Sequence, residues 1–322
     1  MPKVSVILPN YNHSRYLTQR IESILNQTYQ DFELIILDDK SPDDSVSVIE
    51  RYRDHERVSQ VVINENNSGS TFKQWDLGFS LAQGEYIWIA ESDDYADETF
   101  LEKCVAALDA HPTVGFCMTD SHCVDSEGEI VNYKVINRIE LKDRSSSNKP
   151  IKYNGKELVK QKLIKYNIAY NASMILFRKA VLSSIPVDYK GYKACGDWLF
   201  WGEIALRHDV ARVPERLNYF RQHNNKVSAK SKQSGLGSIE PCEVMADLIE
   251  RYANNCNAES FLGKASLFRT KIRTIKRIWL SLDKYIGITG ADCDFERIEM
   301  LKKRMKRIHP WYSRRLLLRF IM

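Results

Sequence analysis

With 322 residues and 37.4 kDa, the chain is long enough for a full core, built as one large domain with an appendage or as two domains. Its 43% apolar and 28% charged residues are those of an ordinary soluble protein, and no run reaches the ~18 uninterrupted apolar residues of a spanning helix. The formal charge of +5 is unevenly held: residues 301–322 carry eight Lys/Arg and no acid, an asymmetry that bears on partners rather than on fold.

KVSVIL, Lys3 to Leu8, is a β-branched run that predicts a first strand directly at the start of the chain, so no signal peptide is expected. PNYN breaks it, and Leu17, Ile21, Ile24 and Leu25 then repeat with helical spacing from about Ser14. FELIIL, Phe32 to Leu37, predicts a second strand that ends in DDKSPDD. There Ser41 reads as an N-cap and Pro42 as the first residue of a helix running to about Tyr52. A strand over Val58 to Ile63, the turn-rich NENNSGS, a helix over Thr71 to Leu81 and a strand over Tyr86 to Ala90 follow. A helix from about Glu98 to Ala110 and a strand over Val114 to Met118 complete this half. Val131 to Ile151 is polar and unpatterned and reads as a loop over the site. Beyond it the pattern predicts a helix over Gly155 to Tyr166, a strand over Ser173 to Phe177, a helix opened by Gly196, and an extended segment over Val210 to Leu217. SAKSKQSGLGS marks a boundary near residues 228–238, after which the chain reads as helical over Val244 to Tyr252, Phe261 to Tyr285 and Phe295 to Arg307.

Strands alternating with helices predict an α/β fold with right-handed crossovers and a mainly parallel sheet, whose ligands bind beyond the carboxyl ends of the strands. The unusual residues fall in those places. PNYN, DDKS, NENNSG and ESDD follow the first four strands in turn. In GEYIWIAESDDY, residues 84–95, an apolar strand runs into Glu91, Asp93 and Asp94. Carboxylates so crowded repel and are costly to dehydrate, so a positive partner is required. Mg²⁺ or Mn²⁺ held by these acids, and bridging to a diphosphate, answers the need. The plain alternative is a solvated loop with a helix cap. Asp38 and Asp39 repeat the pattern one strand away, where Asp39 is placed to accept from a base or ribose. Tyr11 is placed to stack on a base, and Asn67 and Gly69 to hold a loop near the nucleotide. No GxGxxG follows the first strand, and neither GxxxxGK[ST] nor GxSxG occurs. Seven cysteines, an odd number with no CxxC pair, argue against a disulfide framework and suit a reducing cytosol.

The run VSVILPNYNHSRYLTQRIESILNQTYQDFELIILDDKSPDDS, followed by GEYIWIAESDDY, resembles glycosyltransferase family 2 from Pro2 to about Met118. The likeness continues more loosely through NASMILFRK, ACGDWLFW and YFRQHNNKVS, residues 171–228. This resemblance implies a GT-A fold, a Rossmann-like, mixed and mainly parallel sheet flanked by helices. A transferase domain over residues 1–230 would have a nucleotide-sugar half to about 120 and an acceptor half beyond, followed by a helical, basic region over 231–322. It implies an inverting, metal-dependent transfer from a nucleotide-diphosphate sugar, UDP foremost, to a hydroxyl of a glycan or lipid-linked acceptor in bacterial surface polysaccharide synthesis. Pro9 and Tyr11 match the residues that embrace the base, Asp39 the acid that reads it, and Asp93 and Asp94 the DxD-like motif, with Asp94 holding the metal at the diphosphate. Asp197 in ACGDWLFW matches the catalytic base, His223 a residue that approaches the metal, and Arg221 a neighbour of the phosphates. Glu91 stands where many members have aspartate, and Gly196 where many have glutamate before the base. Two rival readings are a non-catalytic nucleotide- or sugar-binding module on the same fold and a sugar nucleotidyltransferase. The latter would need a glycine-rich basic loop where PNYNHS stands. The acidic site and the lack of a nucleic-acid motif exclude nucleic acid as partner. A cytoplasmic location is expected, with RMKRIHPWYSRRLLLRFIM resting on an anionic membrane surface at its inner face.

Overall fold

The computed structural model describes residues 1–132, 149–223, 231, 236–256, 261–289 and 294–309. The core of the loop expected over Val131 to Ile151, most of the boundary near 228–238, and the basic segment from residue 310 lie outside the described residues.

Strands β1 (Val4–Asn10), β2 (Phe32–Asp38), β3 (Val58–Ile63), β4 (Tyr86–Ile89), β5 (Tyr95–Ala96), β6 (Val114–Val124), β7 (Ile151–Tyr153), β8 (Ile175–Arg178) and β9 (Asp209–Arg221) form one sheet. Its order is β3-β2-β1-β4-β8-β6-β9-β5, with β7 added against β9. The first four strands in that order are parallel, β8 runs antiparallel between β4 and β6, and β9 returns parallel to β6. The helices are α1 (Ser14–Leu25), α2 (Ser45–Glu50), α3 (Thr71–Leu81), α4 (Phe100–Asp109), α5 (Gly155–Leu158), α6 (Gly196–Arg207), α7 (Leu236–Asn254), α8 (Phe261–Thr289) and α9 (Phe295–Ile308).

The central strands are apolar at nearly every position because both faces of the sheet are covered. Side chains alternate between the faces. Ile7, Ile35, Leu37, Ile87 and Ile89 join one cluster with α3, α6 and the C-terminal helices. Val4, Val6, Leu8, Leu34, Ile36, Tyr86 and Trp88 join the other with α1, α2 and α4. Trp198 and Trp201 of α6 are core residues, 6% and 0% exposed. Helix α7 approaches α6 so closely that a Cβ on Gly202 would lie 2.4 Å from a methyl of Leu248. The C-terminal helices therefore share the core of the sheet domain. Arg297 of α9 donates to Glu243 of α7 at 2.8 Å, and Arg304 donates to Glu250 at 2.6 Å.

Several elements differ from the sequence expectation for identifiable reasons. β1 continues through Pro9 because its pairing with β4 ends at Ile7, so the N–H that proline lacks is not needed on that side. Ser41 does not cap a helix. It donates to Asp38 Oδ2 at 2.7 Å and accepts from the N–H of Asn12 at 2.9 Å, and α2 starts only at Ser45. β6 runs six residues past Met118, to Val124, because the polar TDSHC stretch is satisfied by neighbours. Asp120 there accepts two hydrogen bonds from Arg212 of β9, at 2.9 and 2.7 Å. The helix expected over Gly155 to Tyr166 is α5 followed by a wider π turn over Val159–Leu163.

Candidate active site

The carboxyl ends of β1, β2 and β3 are tied into one polar platform. Asn10 donates to Asp38 Oδ2 at 2.7 Å. The adjacent Asn12 and Lys40 take left-handed backbone conformations, φ 61° and 62°, as a tight turn between polar side chains requires. Asp39, 4% exposed, accepts at Oδ1 from Asn64 (2.7 Å), the Ser68 N–H (2.8 Å) and Gln74 (2.8 Å). Its Oδ2 takes a single protein donor, Ser68 Oγ at 2.8 Å, and so keeps acceptor capacity for a ligand. Asn67 donates to the Asp39 carbonyl at 2.8 Å and accepts from the Gly69 N–H at 2.7 Å, while Gly69 adopts φ 70°. Pro9 is buried within β1, and Tyr11, 46% exposed, presents its ring to solvent beside this platform. Pro9, Tyr11, Asp39, Asn67 and Gly69 thus lie at one sheet edge.

The end of β4 holds the second group. Asp93 Oδ2 lies 2.9 Å from His223 Nε2, and His223 packs edge-on against His13, ring centroids 5.4 Å apart. The ligand atoms of His13, Asp93 and His223 all lie within 4.8 Å of one another, the one such trio found among the described residues. His13 stands just before α1 and is hydrogen-bonded through Nδ1 to Ser92 Oγ at 2.8 Å. Burial alone would raise the pKa of Asp93, but the His223 hydrogen bond and the neighbouring His13 outweigh it and lower the value. Two imidazole nitrogens and one carboxylate oxygen fit a first-row divalent ion that accepts mixed ligands, Mn²⁺ better than the oxygen-seeking Mg²⁺. The residues to hold it are therefore His13, Asp93 and His223.

Asp94 has a different environment from the one its motif implies. It is 2% exposed, accepts at Oδ1 from the Arg221 N–H at 2.9 Å, and accepts at Oδ2 from Asn171 Nδ2. Each oxygen meets a protein donor, and together Arg221 and Asn171 hold the carboxylate inward. Burial, then the charge of Asp93, raises its pKa. Arg221 is likewise not free to meet phosphates, because it is 2% exposed and almost fully used. Its Nε donates to the Asp93 carbonyl (2.8 Å), Nη1 to the carbonyls of Asp125 (3.1 Å) and Ser126 (3.2 Å), and Nη2 to Gln19 Oε1 (2.6 Å). Its guanidinium also lies 4.6 Å over the ring of Tyr16. Arg221 holds the acidic turn in place from behind. A second buried cation, Arg20 of α1, is 0% exposed and lies 4.7 Å over the Trp88 ring. None of its guanidinium nitrogens has a hydrogen-bond partner among the described residues. Burial lowers its pKa to about 10, against the opposing pull of Asp94, Glu91 and Asp93. The positive charge that the acids call for is thus partly built into the fold.

Asp197 sits in the first turn of α6, half-buried. Its Oδ1 accepts from the Trp198 N–H at 2.7 Å and its Oδ2 from Asn167 Nδ2 at 3.0 Å. Burial raises its pKa to about 6, a value suited to a base that works near neutrality. The charge of Asp197 is felt by Glu91, which burial and then Asp93 push up to about 8. Glu91 accepts from the indole N–H of Trp75 at 3.1 Å, and its own N–H donates to Ser173 Oγ at 3.1 Å. Asp197 therefore faces the acidic end of β4 from the helix side. Sequence reading missed His13 and Asn167. The first is visible in PNYNHS once a strand-one terminus is taken as a ligand source, whereas Asn167 carries no sequence signal at all.

Comparison with known proteins bears on this arrangement. Residues 5–183 match the model of the family described as "Glycosyl transferase family 2". Asp197, Arg221 and His223 lie beyond that match. An uncharacterized glycosyltransferase of Haemophilus influenzae is 27% identical over 230 residues, 71% of this chain and 68% of that protein. The poly(ribitol-phosphate) β-N-acetylglucosaminyltransferase TarS of Staphylococcus aureus is 35% identical over 115 residues, 34% of this chain but only 20% of TarS. The structure of TarS residues 1–349 with UDP-GlcNAc superposes with TM-score 0.56 at 17% identity, over 97% of this chain and 93% of that one. The mannosyltransferase PcManGT of Pyrobaculum calidifontis, solved with GDP-Man and Mn²⁺, superposes with TM-score 0.57 at 14% identity, over 96% and 83%. At these identities the structural likenesses establish the fold.

Proposed function

The chain belongs to glycosyl transferase family 2, a nucleotide-sugar-dependent transferase on a GT-A fold, and from that premise we propose that it moves a sugar from a UDP-sugar to a hydroxyl of a bacterial surface glycan. The observation that carries the reading is the meeting, at one sheet edge, of a base platform on Asp39, the donor trio His13, Asp93 and His223, and a carboxylate of raised pKa, Asp197.

Each part does separable work. Asp39 Oδ2 accepts the ring N–H of a base such as uracil, and the exposed ring of Tyr11 covers its face. His13, Asp93 and His223 would hold a divalent ion, which would supply positive charge to the diphosphate. Asp197 takes the proton of the acceptor hydroxyl as that oxygen forms its bond to the anomeric carbon. The bond to the diphosphate oxygen breaks on the opposite face, so the configuration inverts. Proton abstraction of this kind contributes roughly 10²–10⁴-fold, and positioning and electrostatics supply the remainder. The UDP preference is supported by the Asp39 platform and by the UDP-GlcNAc bound to TarS. The surface-glycan assignment is supported by the activity of TarS as a poly(ribitol-phosphate) β-N-acetylglucosaminyltransferase.

The test is a panel of UDP-, GDP- and dTDP-sugars with Mn²⁺, followed by calorimetry for binding and by detection of released nucleoside diphosphate. Saturable, Mn²⁺-dependent binding of a UDP-sugar and a product of inverted anomeric configuration by NMR are expected. If no nucleotide sugar binds with or without metal, the reading fails. A retained configuration would remove Asp197 from the role of base in a single displacement.

A further inference from the structure

A cavity of about 480 Å³ lies between the π turn after α5 and the first half of α8, apart from the acidic edge. Among the described residues that line it are five cations, Lys160, Lys162, Lys165, Arg269 and Arg273, and no acid. Lys160 is partly neutralised by Glu157 at 3.4 Å, but among the described residues no carboxylate pairs with Lys162, Arg269 or Arg273. Arg277 continues the cationic row, its guanidinium 4.0 Å over the ring of Tyr166. Burial, then the charge of Arg273, lowers the pKa of Lys165, with Lys162 and Arg277 adding to the effect. Like charges gathered at a concave wall repel, and an anion that bridges them recovers that energy. Arginine forks and lysine ammoniums are the side chains that suit phosphate oxygens, and a volume of this size admits more than one such group.

One segment joins the cavity to the proposed base. Within the one segment 159–167, Lys160, Lys162 and Lys165 face the cavity, the Leu163 carbonyl accepts from the Trp198 indole N–H at 2.7 Å, and Asn167 donates to Asp197. One nine-residue segment thus lines the cleft on one side and contacts the proposed base.

We propose that this cleft binds the phosphate groups of an anionic, phosphodiester-linked acceptor chain, and so aligns one of its hydroxyls toward Asp197. The proposal rests on the reading of Asp197 as base. It assigns the acceptor class by charge: a polymer with phosphate in its backbone rather than a neutral glycan.

The full-length protein and the Arg269→Glu/Arg273→Glu variant would be titrated with four probes. These are a short synthetic phosphodiester-linked polyol oligomer, a neutral oligosaccharide of the same length, inorganic tripolyphosphate, and vesicles of phosphatidylglycerol in phosphatidylcholine. UDP with Mn²⁺ serves as the control for a folded donor site. The phosphodiester oligomer should bind, more weakly as salt rises, and lose about tenfold or more in affinity in the variant, with UDP affinity unchanged. Arg273→Gln, which removes charge without reversing it, should give a smaller loss in the same direction. Equal affinity in protein and variants, or equal binding of the neutral oligomer, would overturn the proposal. So would binding to the vesicles alone, lost in the variant, which would make the cleft a membrane contact. Phosphodiester binding without UDP binding would leave the cleft standing and sink the donor reading instead.

Discussion

Replacing Asp197 with asparagine separates its chemical role from its structural one. The carboxylate is half-buried, and burial lifts its pKa from 3.8 to about 6. Between those values the unfolded chain releases a proton that the folded chain keeps, so stability falls as pH rises and the full cost is present above pH 6. A shift of about two units corresponds to about 3 kcal/mol at neutral pH, and to less than that because the carboxylate keeps part of its surface in water. Asparagine cannot ionise. Its carbonyl oxygen can still accept from the Trp198 N–H, and the Asn167 amide, whose Oδ1 is buried without a partner, can rotate to accept from the new amide. The variant should therefore be at least as stable as the parent at pH 7 by urea denaturation, with the advantage vanishing near pH 4. Transfer should meanwhile fall by roughly 10²–10⁴-fold, the contribution of a general base. In the parent, the acid limb of kcat/KM should bend near pH 6 and lose about tenfold per unit below it. A folded variant with near-parental transfer, or a parental profile that holds flat down to pH 4, would refute the assignment.

Other expectations follow from the same geometry. Asn167→Ala removes a hydrogen bond that favours the ionised form of Asp197, so the acid limb of the pH–rate profile should move to higher pH; an unmoved limb would leave Asn167 without influence on the base. His13→Ala should weaken Mn²⁺ binding in the presence of UDP by about tenfold or more in calorimetry, and unchanged affinity would strike it from the ligand set. Arg221→Met leaves the carbonyls of Asp93, Asp125 and Ser126 and Gln19 Oε1 without their buried donor and should cost about 3 kcal/mol in urea denaturation. Intact stability with lost UDP affinity would return Arg221 to the phosphates.

The parallel half of the fold was legible because its signals are local and repeated. β-branched runs of six or seven residues, helices with apolar residues at three- and four-residue spacing, and polar breaks at every strand end all agreed with one another. The antiparallel half was less so. β5 has two residues and β7 three, too short for any periodicity, and both exist because β9 is long enough to pair with them. β6 looked too polar past Met118 because Asp120 finds Arg212 ninety-two residues away, a partner no window could contain. The site divided along the same line. Asp39, Asp93 and Asp197 stand out as charges placed at element ends, whereas the duties of Arg221, Asn171 and Arg20 depend on which chains cross there. A guanidinium two residues before a histidine of the candidate metal trio looks like a phosphate ligand until its donors are counted against the carbonyls of Asp93, Asp125 and Ser126.

That counting explains why two consecutive aspartates can have opposite duties. A turn closes here, the Asp94 N–H donating to the Glu91 carbonyl at 3.2 Å, and the two side chains leave it toward different partners. Asp94 faces inward, where its oxygens join the N–H of Arg221 in β9 to the amide of Asn171 just before β8. Asn171 in turn accepts from Asn218 of β9 at 3.2 Å, so three segments from distant parts of the sequence are joined around one carboxylate. Fixing Arg221 also fixes His223 two residues later, and His223 is the group that Asp93 meets at 2.9 Å. Asp94 thereby sets the distance between Asp93 and His223. An uncharged amide at position 94 would accept one of these bonds and oppose the other, so the arrangement at position 93 depends on a neighbour that offers two acceptor oxygens.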